Sequence, residues 1–398
     1  MGDVTETANT PRRLRVALYS HDAQGLGHIR RNLAIAHALS GGDAAPDLLL
    51  LTSAPDVAHA GRPAGCDIVS LPALAKDADG TYGARHLSVS PGHLVSLRSA
   101  ILHAAVSGFQ PDVLIVDKHP RGFRGELQPA LDAVRAAGGR IVLGIRDVLD
   151  DAETAAREWK SARAAKALKT WYDAVWVYGD PHVHDPLDAL KVPSRVAVRT
   201  TGYLARGRPA GRARTRVERP YVLAMVGAGQ DGAHVARAFA RSTMPEGHTG
   251  ILVTGPHMPD EAVAEVRAIA AARDDLRVHR AVPDAARLVA EAAAVVGMGG
   301  YNTVCEALAA DAPLLVVPRV APRREQLIRA EALVRRGAVD LLLPDELSPG
   351  RIAEWTAAAV SRRPRLTAPV DLDGLSRIPA LVAELVGDAA PTEDRHVA

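Results

Sequence analysis

The chain has 398 residues, 47% hydrophobic and 24% charged, with a net charge of +2. That is the composition of a globular protein long enough for two cores. It excludes a disordered chain and one whose overall basic field would hold nucleic acid.

Residues 1–12 are polar and acidic, are read as disordered, and lack the apolar core of a signal peptide. No apolar run is long enough to span a bilayer. Cys66 and Cys305 form no C-x-x-C pair, which suits a reducing cytoplasm, the expected location. Peripheral membrane contact stays open, because it needs only a local patch.

From residue 13, short β-branched or Leu-rich runs alternate with Ala- and Arg-rich helical stretches, the pattern of parallel sheets flanked by helices. The first set of predicted strands is LRVALYS, DLLLLTS, CDIVSL, DVLIVD, RIVLGIRD, AVWVYG and RVAVRTT, within a domain over 13–204. A Gly-, Pro- and Arg-rich stretch over 205–219 has no apolar period and reads as a solvated linker. The second set is YVLAMVG, GILVTG, LRVHRAV, AVVGMG, PLLVVP and AVDLLLP, within a domain over 220–370. The tail 389–398 reads as disordered. The fold class is therefore α/β, with two Rossmann-like doubly wound domains facing across a cleft, where the C-terminal strand ends bind ligands.

The stretch VVGMGGYNTVCEAL reads as strand, glycine turn and helix. Gly299 and Gly300 can adopt positive φ and let a ligand approach the backbone. Asn302 or Thr303 can cap the helix. Its free N–H groups, from Tyr301 onward, favour an anion, phosphate above all. Glu306 follows one turn later, ~5 Å along the axis, where a carboxylate can accept from ribose hydroxyls.

The longer stretch GMGGYNTVCEALAADAPLLVVPRVAPRREQLIRAEAL resembles the donor-sugar motif of GT-B glycosyltransferases. It is similar to the group of the peptidoglycan N-acetylglucosaminyltransferase and the monogalactosyldiacylglycerol synthases, with a family 28-like C-terminal domain. It is closer still to an uncharacterised bacterial set of glycosyltransferase-like chains. The resemblance implies that Glu306 holds the ribose, that Glu325 and Gln326 hold the donor sugar, and that the loop near Ala281 and Val282 holds the base. In LAMVGAGQDG, it implies that Gly227, Gly229 and Gln230 face the phosphates. SHDAQGLGHIRRN resembles the family's first-domain turn, with Gln24 departing from the commoner glycine; Gly25 and Gly27 would face the acceptor. The resemblance covers about 13–350, leaving 71–110 unmatched. It also implies a C-terminal helix, 371–388, crossing back onto the first domain.

His28 closes the GLGH turn after the first strand and projects into the predicted cleft. A His of near-neutral pKa can deprotonate an acceptor hydroxyl, or bind the acceptor. A packing or capping His is the plain alternative. Asp117 and Asp147 sit at predicted strand ends, as do Lys118, His119 and Arg146. Either carboxylate can be the base or orient His28, or can cap the following helix. Arg146 can bind phosphate or acceptor bidentately.

Sugar transfer from a nucleotide-diphosphate sugar to an unknown hydroxyl acceptor (small molecule, glycan or lipid) is the expected activity. The resemblance favours a UDP-sugar, inversion, and neither metal nor cofactor. The alternatives are a UDP-sugar 2-epimerase of the same fold and a non-catalytic nucleotide-sugar binder. An NAD-dependent oxidoreductase is disfavoured, because the first turn is not G-x-G-x-x-G and the second strand ends in Thr52 and Ser53.

Overall fold

The computed structural model describes residues 12–21, 27–42, 45–54, 61–76, 82–206, 220–362 and 367–387. Gly25, residues 207–219 of the expected linker, residues 1–11 and the tail 388–398 lie outside the described residues.

The strands are β1 (Arg15–Tyr19), β2 (Asp47–Thr52), β3 (Cys66–Ser70), β4 (Leu74–Lys76), β5 (Tyr82–Ala84), β6 (Val113–Asp117), β7 (Arg140–Arg146), β8 (Ala174–Tyr178) and β9 (Ala197–Thr200). Beyond them come β10 (Tyr221–Met225), β11 (Thr249–Val253), β12 (Leu276–His279), β13 (Ala294–Gly297), β14 (Leu314–Val316) and β15 (Asp340–Leu341). Seven strands form one parallel sheet in the order β3-β2-β1-β6-β7-β8-β9, and six form a second in the order β12-β11-β10-β13-β14-β15. Strands β6, β8 and β10 are buried at every position. That is why they read as unbroken apolar runs: both faces of a parallel sheet are covered by helices. A separate antiparallel hairpin, β4–β5, falls within the unmatched region 71–110.

Strand order decides where ligands can bind. In the first sheet the winding reverses between β1 and β6, and in the second between β10 and β13. At such a reversal the outgoing connections diverge to opposite faces and open a crevice at the C-terminal strand ends. Helix α1 (Gly27–Leu39) leaves β1 and buries Ile29, Leu33 and Ala36. The glycine loop 227–229 leaves β10, and the helix Tyr301–Ala309 leaves β13.

Buried polar contacts fasten the two domains. Asp147, just past β7, accepts from Arg329 Nε and Nη2, both at 2.7 Å, and from the Tyr203 hydroxyl at 2.9 Å. Asp147 is 0% and Arg329 1% exposed. Burial alone would raise the Asp147 carboxyl, but the Arg329 guanidinium outweighs it and holds the group below its ordinary range. The guanidinium carbons of Arg31 and Arg329 lie over the Tyr301 ring, 5.6 and 5.7 Å from its centroid, and its hydroxyl accepts from Leu204 N at 3.0 Å. The terminal helix Gly374–Gly387 packs against α1, and Tyr203 N donates to the Asp371 carbonyl at 2.8 Å.

Asp147 therefore differs from its sequence-based role as a candidate base: its carboxylate is saturated by a residue of the other domain. Removing it strands a buried guanidinium. Asp147→Ala is expected to cost about 3–5 kcal/mol, read as a lower urea midpoint. Unchanged stability with abolished chemistry would instead mark it as a base.

Candidate active site

Both switch points open onto one cavity of about 710 Å³, of the size that holds a small-molecule ligand. The first domain lines it with His21, His28, Lys118, His119 and Arg146, and the second with Gly227 to Asp231, Gly300, Thr303, Arg319, Glu325 and Gln326.

The first-domain wall centres on His28 and Asp117. His28 Nδ1 lies 2.7 Å from Asp117 Oδ2, which also accepts from Arg31 Nη2 at 2.7 Å. Arg31 Nη2 is 2.9 Å from the same Nδ1 as well. One nitrogen cannot both donate to the carboxylate and accept from the guanidinium, and the anion favours the Nδ1–H tautomer. Nε2 is then the basic nitrogen of a ring that is 17% exposed. Burial would raise the Asp117 carboxyl, but Arg31 and His28 outweigh it and hold it well below the ordinary range. Asp117 is thus an ionised orienting group beneath His28.

Around this pair the wall is basic. The His21 ring meets the His28 and His119 rings edge-on, with centroids 5.1 and 4.3 Å apart. Burial keeps His21 and His119 well below their ordinary values and hence neutral at pH 7. Burial, with the charges of Arg146 and Arg323, brings the Lys118 ammonium down to about 8. Burial, with the charges of Arg31 and Arg329, brings Arg146 down to about 10.

On the opposite wall the backbone is bare. Gly229 has φ +97°, and a Cβ there would lie 2.3 Å from the Thr254 carbonyl oxygen, so only glycine fits. Gly299 has φ +75°, and a Cβ would meet Val316 Cγ1 at 2.7 Å. Gly300, expected to share positive φ, is extended at φ −62° and is the N-cap of the helix Tyr301–Ala309. Among the described residues no side chain caps this helix, contrary to the role expected of Asn302 or Thr303. Asn302 Nδ2 instead donates to the Gly27 carbonyl at 3.3 Å, and Thr303 lines the cavity. Among the described residues the first helical N–H bonded to backbone is that of Val304, onto the Gly300 carbonyl, so the N–H groups before it suit an anion.

The other second-domain candidates divide. Glu325 accepts from Arg319 Nη2 at 2.6 Å through Oε1, and its Oε2 is buried without a partner among the described residues. Gln326 Oε1 accepts from Arg319 N at 2.8 Å. Gln230 is exposed at the cavity rim. Glu306 is not a lining residue: it is 11% exposed and accepts from Arg30 Nη2 of the first domain at 2.6 Å. Burial raises its carboxyl against the opposing charges of Arg30 and Arg206, and its Oε2 lacks a partner among the described residues. Ala281 is exposed, Val282 packs partly buried against the core, and neither lines the cavity. Tyr301 is interdomain packing, as described above. His182, His184 and Asp185 form no cage, since Asp185 caps a turn through Leu187 N at 2.9 Å; among the described residues no group of His, Cys, Asp and Glu could hold a metal.

His21, Arg31, Arg319 and Arg323 were not singled out from sequence. His21 and Arg319 lie just past strand ends, and Arg31 lies three residues beyond His28 on one helix face, a readable spacing. Lys118 supplies a pH test. Its depressed value means that the folded state binds fewer protons than the unfolded chain between about pH 8 and its ordinary value. Stability contributed by this site should therefore rise with pH across that window, and Lys118→Met should flatten the rise in denaturation midpoints.

Residues 248–372 match the glycosyltransferase family 28 C-terminal domain. No curated protein matches the chain. Among solved structures it is similar to the glycotransferase of kitacinnamycin, at 18% identity over 95% of this chain and 98% of that one, with a TM-score of 0.58. The glycosyltransferase VinC in complex with DTDP is 17% identical over 94% and 100% of the two chains, with a TM-score of 0.58. Acinetobacter baumannii MurG is 14% identical over 94% and 98%, with a TM-score of 0.52. The chain has the GT-B fold, and the stretch similar to the family 28 C-terminal domain includes the second-sheet strands β11 to β15.

Proposed function

We propose that this protein is a glycosyltransferase that moves a sugar from a nucleotide diphosphate, a UDP-sugar by resemblance, to an acceptor hydroxyl. The observation that carries the reading is the opposition, across one cavity, of the His28–Asp117 pair and an uncapped helix N-terminus. The family 28 match and the nucleotide in the VinC structure support it.

In this reading the diphosphate lies on the N–H groups after Gly300 and on the loop Gly227–Gly229, and Glu325 Oε2 and Gln326 accept from the sugar hydroxyls. Glu306 takes the ribose hydroxyls once Arg30 swings aside, as a partly exposed side chain can. His28 Nε2 removes the acceptor proton as the hydroxyl oxygen attacks the anomeric carbon. The bond from that carbon to the phosphate oxygen breaks, and its electron pair passes to the diphosphate. The helix terminus stabilises that charge without a metal. Attack from the wall opposite the leaving group gives inversion.

The test is a thermal-shift screen of UDP-, dTDP- and GDP-sugars, followed by nucleoside diphosphate release with water or alcohols as acceptor. One nucleotide class should stabilise the protein, and Glu306→Ala should abolish that stabilisation. His28→Ala should lower turnover about 10²- to 10⁴-fold, the usual range for a lost general base, with donor affinity nearly unchanged. Failure of every nucleotide sugar to bind would overturn the reading. Acceptor-free accumulation of an epimerised sugar would instead identify an epimerase.

A further inference from the structure

Building on the sugar-transfer reading, we propose that the acceptor carries a carboxylate or phosphate, held by Lys118 and Arg146 beside an aromatic wall of Tyr82 and Phe123.

The charge of the cavity is unevenly compensated. In the second domain, Arg319 is paired with Asp231 at 2.7 Å and with Glu325 at 2.6 Å. Arg323 reaches across to Asp150 at 3.1 Å and Glu158 at 2.5 Å. In the first domain, Lys118, Arg124 and Arg146 line the cavity, and none of the described lining residues from that domain is acidic. Arg146 Nε is buried with no partner among the described residues. The acids whose field Lys118 feels, Glu158 and Glu325, are already engaged by arginines. Lys118 and Arg146 are partly buried, and the acids nearest Arg146, Asp147 and Glu325, are likewise bound by Arg329 and Arg319, so an entering anion is the group that compensates the two cations.

Backbone strain points the same way. Lys118 has φ +66°, a conformation that favours glycine or asparagine, and is held there by its N–H on the Gly144 carbonyl at 2.8 Å. A lysine in this place directs a charge at the cavity at a conformational cost.

Position assigns the anion to the acceptor. The diphosphate's bare amides lie on the second domain, whereas Lys118 directly follows Asp117, the carboxylate beneath the base, and Arg146 ends β7 next in the same sheet. An acceptor presenting its hydroxyl to His28 approaches along this wall. Tyr82 of the β4–β5 hairpin and Phe123 meet edge-on at 5.4 Å between centroids and line the same cavity, giving a ring-bearing body a surface to stack on.

The experiment is calorimetric titration of the UDP-saturated protein with 4-hydroxybenzoate, its neutral amide 4-hydroxybenzamide, and inorganic phosphate. The benzoate should bind at least tenfold more tightly than the amide. Lys118→Met and, independently, Arg146→Gln should erase that preference while leaving UDP affinity within twofold. Equal binding of benzoate and amide, or no binding of either anion, overturns the proposal. A tenfold loss of UDP affinity in both variants overturns it in favour of the diphosphate. Selective loss of UDP-glucuronate over UDP-glucose binding overturns it in favour of an anionic donor sugar. If UDP itself does not bind the unmodified protein, the nucleotide-sugar reading fails, and the same titration of the bare protein still decides whether this wall selects anions.

Discussion

The geometry of the cavity depends on the buried pair Asp147–Arg329. Asp147 lies just past β7 of the first domain and Arg329 within the helix Glu325–Val334 of the second, and the bidentate contact, 2.7 Å on both oxygens, tolerates little rotation. Taking both charges out of water is expensive, so the pair contributes less to net stability than to choosing one relative placement of the domains. Tyr203 donates to the carboxylate, and the Tyr301 ring lies against the guanidinium groups of Arg31 and Arg329. With that spacing set, the strand ends after β1 and β6 face those after β10 and β13, and His28 looks toward the helix that begins at Gly300.

A second interdomain pair, Arg30–Glu306, is built differently. Arg30 is 35% exposed, and Glu306 leaves one carboxylate oxygen without a partner among the described residues. The first pair resists exchange because breaking it buries a bare charge; the second joins a partly exposed guanidinium, free to swing toward solvent, to a largely buried carboxylate. The two pairs therefore divide the work. One sets the frame, and the other holds the carboxylate that the proposed function assigns to the ribose.

Thirteen sheet strands, seven and six, correspond to the apolar runs read from sequence, because a parallel strand buried on both faces is written in its own residues. The β4–β5 hairpin was missed, having three-residue strands without a continuous apolar run. At the site, strand ends and the turns after them pointed to His28, Asp117, Arg146 and Gly300, and the resemblance to Gly227 and Gly229, all at or beneath the cavity. It could not separate Asp147, Tyr301 and Glu306 from them. What distinguishes these three is a partner 182, 97 and 276 positions away, and no local pattern carries that information. Asn302 was misread for the same reason: as a local cap it looks ordinary, yet its amide is drawn across to Gly27.

The same pairing logic decides which residue of the first-domain wall can accept a proton. Asp117 looks from sequence as able a base as His28, but one of its oxygens is shared between Arg31 and His28, and the field of those groups keeps the carboxylate ionised far below neutral pH. A base must hold the proton it removes, and a carboxylate so stabilised as an anion holds protons poorly. Its effect is transmitted instead through the ring: by accepting Nδ1–H it makes Nε2 the basic nitrogen, and as the ring gains a proton it stabilises the cation that forms. Neutral His21 and His119 surround that ring without adding fixed charge. Arg31 stands 2.9 Å from Nδ1 of that ring, and in the proposed complex an anion seated against Lys118 and Arg146 would lessen the positive charge of the same wall.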